Sequence, residues 1–372
     1  MTLVGIDVFS DVDNRSPPMP LSFAIFPMAD QAIQSQTGLS SRMSAYSRIL
    51  LAVALIATLG IAAAAAWQIG SRWAQPVPRP STVAIPRPYD SERAFAYLNQ
   101  ICDIGPRPSA TAAMQRQQEL LSDFFEKRGG KVEFQKFNVR HPETGQAVEL
   151  ANLIARWKPT SPKRYLLCAH YDTRPFPDRD PINPKGRFVG ANDGGSGVAA
   201  LMELANHIHL LPADVGVDIV LFDGEELVYR EGRDNYFLGS EHFARDYLAN
   251  PPTVPYTGGI LLDMVGDKEL TIYYERNSWN YARELSKSVF AKAKELGVEA
   301  FIPRIRHEIR DDHLPLNQIA KIPTIDLIDF DYPRPGIGAP RYWHTTQDVP
   351  ENCSGHSLAT VVYVVHQWLM SQ

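Results

Sequence analysis

Cysteine is scarce: Cys102, Cys168 and Cys353 are the three in 372 residues, and none stands in a CxxC pair. That spacing excludes a cysteine zinc site and a dense disulfide framework. A basic excess is missing as well, since 37 Lys and Arg stand against 42 Asp and Glu, for a net charge of -5. Nucleic acid is therefore not an expected partner. No internal repeat is visible. Long apolar runs are absent with one exception, residues 49–71 (ILLAVALIATLGIAAAAAWQIGS), which hold no charged side chain and are flanked by Arg42, Arg48 and Arg72. A run of that length spans a bilayer at ~20 residues per crossing. It reads as a transmembrane helix if translation starts at Met1, or as an export signal if it starts at Met43. Either version predicts an exported catalytic domain, periplasmic or extracellular, anchored to the membrane through residues 49–71 or secreted if that segment is cleaved.

What is present fills the rest. The chain is 44% hydrophobic and 21% charged, enough apolar material for one large domain with appendages. Residues 1–48 read as a disordered tail. Residues 72–89 carry Pro76, Pro78, Pro80, Pro86 and Pro88, so they read as a stiff extended linker. A catalytic domain is expected over 90–372. Leu, Phe and Ala recur at helical spacing over 91–104 and 110–128. KVEFQKFNV (131–139) and LANLIARW (150–157) read as strands. Short apolar runs follow at 165–169, 217–222, 259–264 and 324–328, separated by segments that can form helices. The pattern predicts an α/β fold: a single domain with a mostly parallel mixed central sheet and helices on both faces, plus one N-terminal membrane helix.

The charged residues sit where such a fold gathers ligands. His170 and Asp172 directly follow one apolar run, Asp223, Glu225 and Glu226 follow another, and Asp263 ends a third. In an open α/β sheet these positions converge on the edge formed by the carboxyl ends of the strands. Each motif alone has a plain alternative. The His170-x-Asp172 pair could be a strand end, Asn192 or Asp193 in GANDGGSGV could cap a helix, and DGEE (223–226) could be a solvated loop. Together, His170, Asp193, Glu226, Asp263 and His344 supply imidazole nitrogen and carboxylate oxygen, the donors that a catalytic zinc accepts. Asp193 has two oxygens and could bridge two ions. Glu225, beside a ligand and free itself, is the expected general base. Asp172 is expected to orient His170. His207, His209 and His307 have no motif around them and are expected on the surface or in the core.

The order His170-x-Asp172, Asn192-Asp193-Gly194, Glu225-Glu226, Asp263, His344 resembles the co-catalytic zinc aminopeptidases and their relatives the glutaminyl-peptide cyclotransferases, metallopeptidase family 28, over roughly residues 90–370. The resemblance implies that Asp193, Glu226 and His344 bind one zinc, that His170 and Asp263 with Asp193 would hold a second in the peptidase branch, and that Glu225 is the acid/base in either. Three features lean toward the cyclotransferases. RDDHLPL (310–316) is similar to the segment in which an Asp, here Asp311, hydrogen-bonds the catalytic Asp263, with Asp312 and His313 following. Trp343 precedes His344, as does a tryptophan of the glutamine pocket. The loop LVYREGRDNYF (227–237) is one that simple aminopeptidases lack. Two features lean the other way: GANDGGSGV is closer to the peptidase form, and Glu231 stands where cyclotransferases carry a second pocket tryptophan.

The resemblance therefore implies catalytic roles for Glu225, Asp263 and Asp311 and substrate contacts for Trp343, Asp312 and His313. It implies one or two Zn2+ ions and a peptide or protein N-terminus as substrate. The leading expectation is cyclisation of an N-terminal glutamine to pyroglutamate with loss of ammonia. Hydrolysis of an N-terminal residue is the alternative, and a membrane-tethered binding protein without catalysis is the third.

Overall fold

The computed structural model describes residues 83–330 and 342–372, together with the single positions Ala54 and Thr58. The tail expected over 1–48, the apolar segment 49–71 apart from those two positions, and the linker up to residue 82 lie outside the described residues. Among the described residues no helix is long and apolar enough to cross a membrane.

Two capped helices open the domain. Helix α1 (Ser91–Cys102) starts behind Asp90, whose side chain accepts from the Arg93 N–H, and α2 (Ala112–Glu126) starts behind Thr111, which accepts from Met114. Each turns one apolar stripe inward, Ala94, Leu98 and Ile101 on α1 and Met114, Leu121 and Phe125 on α2. The strands are β1 (Lys131–Arg140), β2 (Ala147–Trp157), β3 (Lys163–His170), β4 (Val215–Phe222), β5 (Tyr256–Asp263), β6 (Ile272–Tyr274), β7 (Phe301–Ile305) and β8 (Thr324–Ile328). Six of them form one sheet in the order β1-β2-β4-β3-β5-β8, while β6 and β7 pair separately. The joints β4/β3, β3/β5 and β5/β8 are parallel, and β1/β2 and β2/β4 are antiparallel. The sheet is thus mixed, parallel from β4 through β3 and β5 to the edge strand β8 and antiparallel on the β1–β2 side.

Its central strands are buried along almost their whole length because both faces are covered, with Arg164 and Asp218 paired to each other inside. Along β3, Leu167 and Ala169 join one core with α1, α3 (Gly197–Ala205), α6 (Arg283–Glu295) and α8 (Gly355–Met370). Leu166 and Cys168 face the opposite side, where Phe243 and Ala244 of α4 (Leu238–Ala249) and Leu316 of α7 (His313–Gln318) pack. The short helix α5 (Arg276–Tyr281) precedes α6.

Helix α3 crosses the sheet so closely that a Cβ on Gly197 would lie 2.1 Å from the Leu262 carbonyl oxygen and 2.9 Å from Ala169 Cβ. Only glycine allows that approach, and it brings the turn preceding α3 down onto the ends of β3 and β5. His170 ends β3, Asp263 ends β5, and Asp223 directly follows β4. Because these strands run parallel, their last residues share one edge.

Candidate metal and acid-base site

The turn Ala191–Ser196 carries Asp193 in non-helical backbone (φ -88°, ψ 107°) followed by Gly194 at φ 82°. A Cβ on Gly194 would come within 2.5 Å of the Asp172 carbonyl oxygen and 3.0 Å of His170 Cε1, so this position accepts glycine alone. Neither Asn192 nor Asp193 caps α3. The Asn192 amide oxygen accepts from the Gly266 N–H (2.7 Å), and the oxygens of Asp193 point to two different histidines.

That division shapes the centre. On one side His170 Nε2 lies 3.1 Å from Asp193 Oδ1 and 3.3 Å from Asp263 Oδ1. On the other, His344 Nε2 lies 2.8 Å from Glu226 Oε1 and 3.5 Å from Asp193 Oδ2. Donor atoms of His170, Asp193 and Glu226 all fall within 4.8 Å of one another. All five groups are buried, and Asp193 Oδ2 and Asp263 Oδ1 have no hydrogen-bond partner. Orphaned buried carboxylate oxygens facing imidazole nitrogens are costly without a cation between them. Nitrogen and oxygen donors so arranged fit zinc.

Charges in the cluster respond to one another. Burial disfavours ionised Asp193, and with Glu226 and Asp263 nearby its carboxyl is raised to about 6. Burial also opposes ionised Glu226, but His344 and then Arg174 outweigh it and bring that carboxyl down to about 2. For His344, burial lowers the ring's basicity while Glu226 and Asp178 raise it, with a net position of about 8. Burial likewise works against a charged His170, yet Asp172, Asp193 and Asp263 hold it well above its ordinary value. Asp172 does so through its charge, since 3.7 Å separates its Oδ1 from His170 Nδ1. Its oxygens are otherwise engaged, accepting from the backbone N–H groups of Glu225 (3.1 Å) and Glu226 (3.0 Å) and from the Ser109 hydroxyl (3.2 Å). Asp172 thus fixes the turn that carries the two glutamates, a different task from the direct orientation of His170 expected of it.

A cavity of about 330 Å³ opens onto this cluster, lined among others by Glu225, Asp263, Asp311, Ile309, Phe330 and Trp343. Glu225 makes no side-chain hydrogen bond shorter than its 3.8 Å approach to His170 Nδ1, and burial with the nearby carboxylates keeps its own carboxyl well above the usual range. Asp311 is raised in the same way, by burial first and then by Asp263 and Asp312. No direct hydrogen bond joins Asp311 to Asp263; Asp311 Oδ1 accepts from the Asp312 N–H and its Oδ2 is unpartnered. The backbone is strained around the cavity. Of the six non-glycine residues with positive φ among the described residues, Phe237, Met264 and His344 line it.

Comparison with known proteins agrees with this geometry. The profile of peptidase family M28 matches residues 152–369, more than half of the chain. The chain belongs to that family. Within M28, the crystal structure of Fimbriiglobus ruber glutaminyl cyclase is 39% identical, with a TM-score of 0.72 over 79% of this chain and 99% of that one. A Zn-dependent exopeptidase from Parabacteroides distasonis is 34% identical, with a TM-score of 0.70 over 78% of this chain and all of that one. Among curated proteins, the glutaminyl-peptide cyclotransferase of Bothrops jararaca is 27% identical over 54% of this chain. The match spans 60% of that relative's own length.

Two of the residues expected to touch substrate are elsewhere. Asp312 is fully buried beneath the cavity and accepts from the Ser240 hydroxyl of α4. His313 opens α7, equally buried, with Nε2 3.3 Å from Glu275 and Nδ1 3.9 Å from Asp326. Neither lines the cavity. His207, without a motif, is in the core, bonded to Glu203.

Several residues that sequence reading passed over support the centre. The Arg174 N–H donates to Glu226 Oε2 (3.0 Å), and its buried guanidinium reaches Asp178 (2.9 Å), Glu231 (2.7 Å) and the Tyr236 hydroxyl (3.1 Å). Asp178 in turn lies 3.2 Å from His344 Nδ1. Asp348 accepts from the N–H groups of Asn192 (2.7 Å) and Asp193 (3.1 Å) and so sets the turn that aims Asp193. Arg174 stands two residues after Asp172 and Asp348 four after His344, each close to a residue the sequence had singled out. An acidic residue four places after the candidate ligand His344 was the available signal.

Proposed function

We propose that the protein is a glutaminyl-peptide cyclotransferase that closes an N-terminal glutamine to pyroglutamate and releases ammonia. The observation carrying this reading is the meeting in one cavity of three carboxyl groups, Glu225, Asp263 and Asp311, with an aromatic wall of Phe330 and Trp343 whose rings lie 5.2 Å apart. Its volume of about 330 Å³ suits one side chain and its α-amine.

Asp193, Glu226 and His344 would hold a zinc ion, with His170 and Asp263 flanking the far oxygen of Asp193. Zinc, when bound, supplies a Lewis acid that polarises the γ-amide carbonyl. Glu225 takes a proton from the α-amine as that nitrogen forms its bond to the side-chain amide carbon, Cδ, and returns a proton to the amide nitrogen as the carbon–nitrogen bond breaks. Asp263 and Asp311 face the departing ammonia, and the proton held on Asp311 lets the two carboxyls share the site without repulsion. Trp343, stacked under the Arg179 guanidinium at 3.9 Å, walls the side-chain pocket.

One observation favours a second reading. His170 and Asp263 present a donor pair to the second oxygen of Asp193, which is the layout of a two-metal aminopeptidase. Products separate the two. Zinc-loaded protein incubated with Gln-initiated and Leu-initiated peptides should remove ammonia from the first and leave the second intact; release of a free N-terminal residue would establish hydrolysis instead.

We further propose that residues 49–71 anchor the chain in a membrane with the catalytic domain exported, a reading that rests on an uncharged apolar run between arginines. Recovery of the full chain in the soluble cytoplasmic fraction would exclude it.

A further inference from the structure

Three consecutive residues, Asp178, Arg179 and Asp180, grip the segment that carries His344. Asp178 Oδ1 faces His344 Nδ1 at 3.2 Å. The Arg179 N–H donates to the His344 carbonyl (3.1 Å), and the Arg179 guanidinium stacks on the Trp343 ring at 3.9 Å. Asp180 reaches two residues further, where its Oδ2 accepts from the Thr346 N–H (2.9 Å) and from the Thr346 hydroxyl.

His344 needs such a grip. Its φ of 55° is a left-handed conformation, which a residue with a Cβ adopts at a cost and keeps only where its surroundings over-determine it. In that conformation its Nε2 stands 2.8 Å from Glu226 Oε1. Asp180 supplies much of the constraint from one buried group. The side chain is 7% exposed, and besides the two bonds from Thr346 its Oδ1 accepts from the N–H groups of Ile182 (2.9 Å) and Asn183 (2.8 Å). That second pair folds the loop after Asp180 into an Asx-type turn. One carboxylate therefore shapes the loop and ties it down two residues past His344. The fit is close, since a Cβ on Gly186 would come within 2.9 Å of Thr346 Cγ2.

We propose that Asp180 is a positioning residue that sets the candidate zinc ligand His344 and the pocket wall Trp343 together, so that metal affinity and substrate fit depend on one carboxylate that touches neither. The assignment rests on the reading that Asp193, Glu226 and His344 hold zinc and that Trp343 walls the substrate pocket. Once Thr346 is released, His344 can relax to negative φ, which turns its ring away from Glu226. The Trp343 ring, adjacent in the chain and 4.2 Å from that of His344, moves with it. Glu225, Asp263 and Asp311 stand on other segments and keep their places.

The test uses the full chain and reads zinc affinity by competition with a chelator, the absorption spectrum of the Co2+-loaded protein, and KM and kcat at saturating zinc for a Gln-initiated peptide. Asp180→Asn leaves an acceptor oxygen on one side only. It should weaken zinc roughly ten-fold or more, alter the cobalt bands that report coordination geometry, and raise KM about three-fold or more while kcat stays within about three-fold. Thr346→Val removes the hydroxyl alone and should shift zinc affinity and KM the same way by less, and Thr346→Ser should restore wild-type values. Asp90→Ala removes the N-cap of α1 instead; it should lower the urea midpoint and leave zinc affinity unchanged.

Wild-type zinc affinity in Asp180→Asn overturns the proposal, as does an equal loss in Asp90→Ala, which would reduce the effect to general stability. Weakened zinc with unchanged KM, or the reverse, overturns it too, because both are tied to the same carboxylate. If Asp180→Asn does not fold, Thr346→Val decides by the same measurements. Failure of the functional reading looks different. A wild type that releases a free N-terminal residue supplies KM for that reaction and leaves the zinc comparison intact, whereas a wild type that binds no zinc overturns both.

Discussion

Replacing Glu225 by Gln isolates the proton transfer from everything else in the centre. The carboxylate is buried, makes no hydrogen bond that its amide could fail to copy, and stands beside the ligand set without joining the close His170–Asp193–Glu226 group. Its backbone N–H is held by Asp172 whatever the side chain. Loss of a positioned acid/base costs roughly 10²–10⁴ in turnover, which at 1.36 kcal/mol per decade is about 3–5 kcal/mol of transition-state stabilisation. Folding should move the other way. Because folding raises the Glu225 pKa, its contribution to stability is present below the unfolded value near 4.3 and is lost as pH rises through the folded value. In zinc-free protein at pH 8 the neutral amide is therefore at least as stable as wild type. The assay pairs peptide cyclisation followed by mass with zinc content and a urea midpoint. Turnover within ten-fold of wild type at equal zinc content would refute the assignment of Glu225 as the proton carrier.

Other consequences can be checked singly. Gly197→Ala places a Cβ 2.1 Å from the Leu262 carbonyl, so the urea midpoint should fall by an amount equivalent to about 1–3 kcal/mol; an unchanged midpoint would show that α3 can lift off the sheet freely. Asp348→Asn leaves one N–H of the Asp193 turn without an acceptor and should weaken zinc binding roughly 10–100-fold, measured by competition with a chelator. His366, buried and bonded to Tyr89, is brought down to about 4 by burial. Its stabilising contribution is present above the unfolded value near 6.5 and is lost as pH falls through about 4. An NMR titration should find the ring neutral at pH 5, and protonation near 6.5 would contradict the burial argument.

Much of the frame was legible because its signals are local. The runs at 165–169, 217–222 and 324–328 fall in strands β3, β4 and β8, and burial on both faces is what makes such runs predominantly apolar. The candidate site residues follow a local rule as well, since His170, Glu225, Glu226 and Asp263 follow or end parallel strands and so come to one edge. Where the rule had no purchase, the reading erred. Asp312 and His313 adjoin Asp311 in sequence, but α7 begins there, and its first turn carries them beneath the cavity to Ser240 and Glu275. Arg174 and Asp178 were overlooked because their partners, Glu226, Glu231 and His344, are 52 or more residues away in sequence.

Residue types and their spacing thus determined the fold class, the donor types of the candidate site and the presence of Glu225 beside the candidate ligand Glu226. Those depend on periodicity and on donor identity, which a linear chain displays. Only the tertiary structure decided that Asp193 turns one oxygen to His170 and the other to His344, that Asp172 serves the glutamate turn, and that Asp348 aims the whole loop. Each of these is a choice of direction made by a side chain with two equivalent acceptors. That choice is fixed by which distant backbone groups packing brings within 3 Å or so, and no neighbouring residue in the sequence records it.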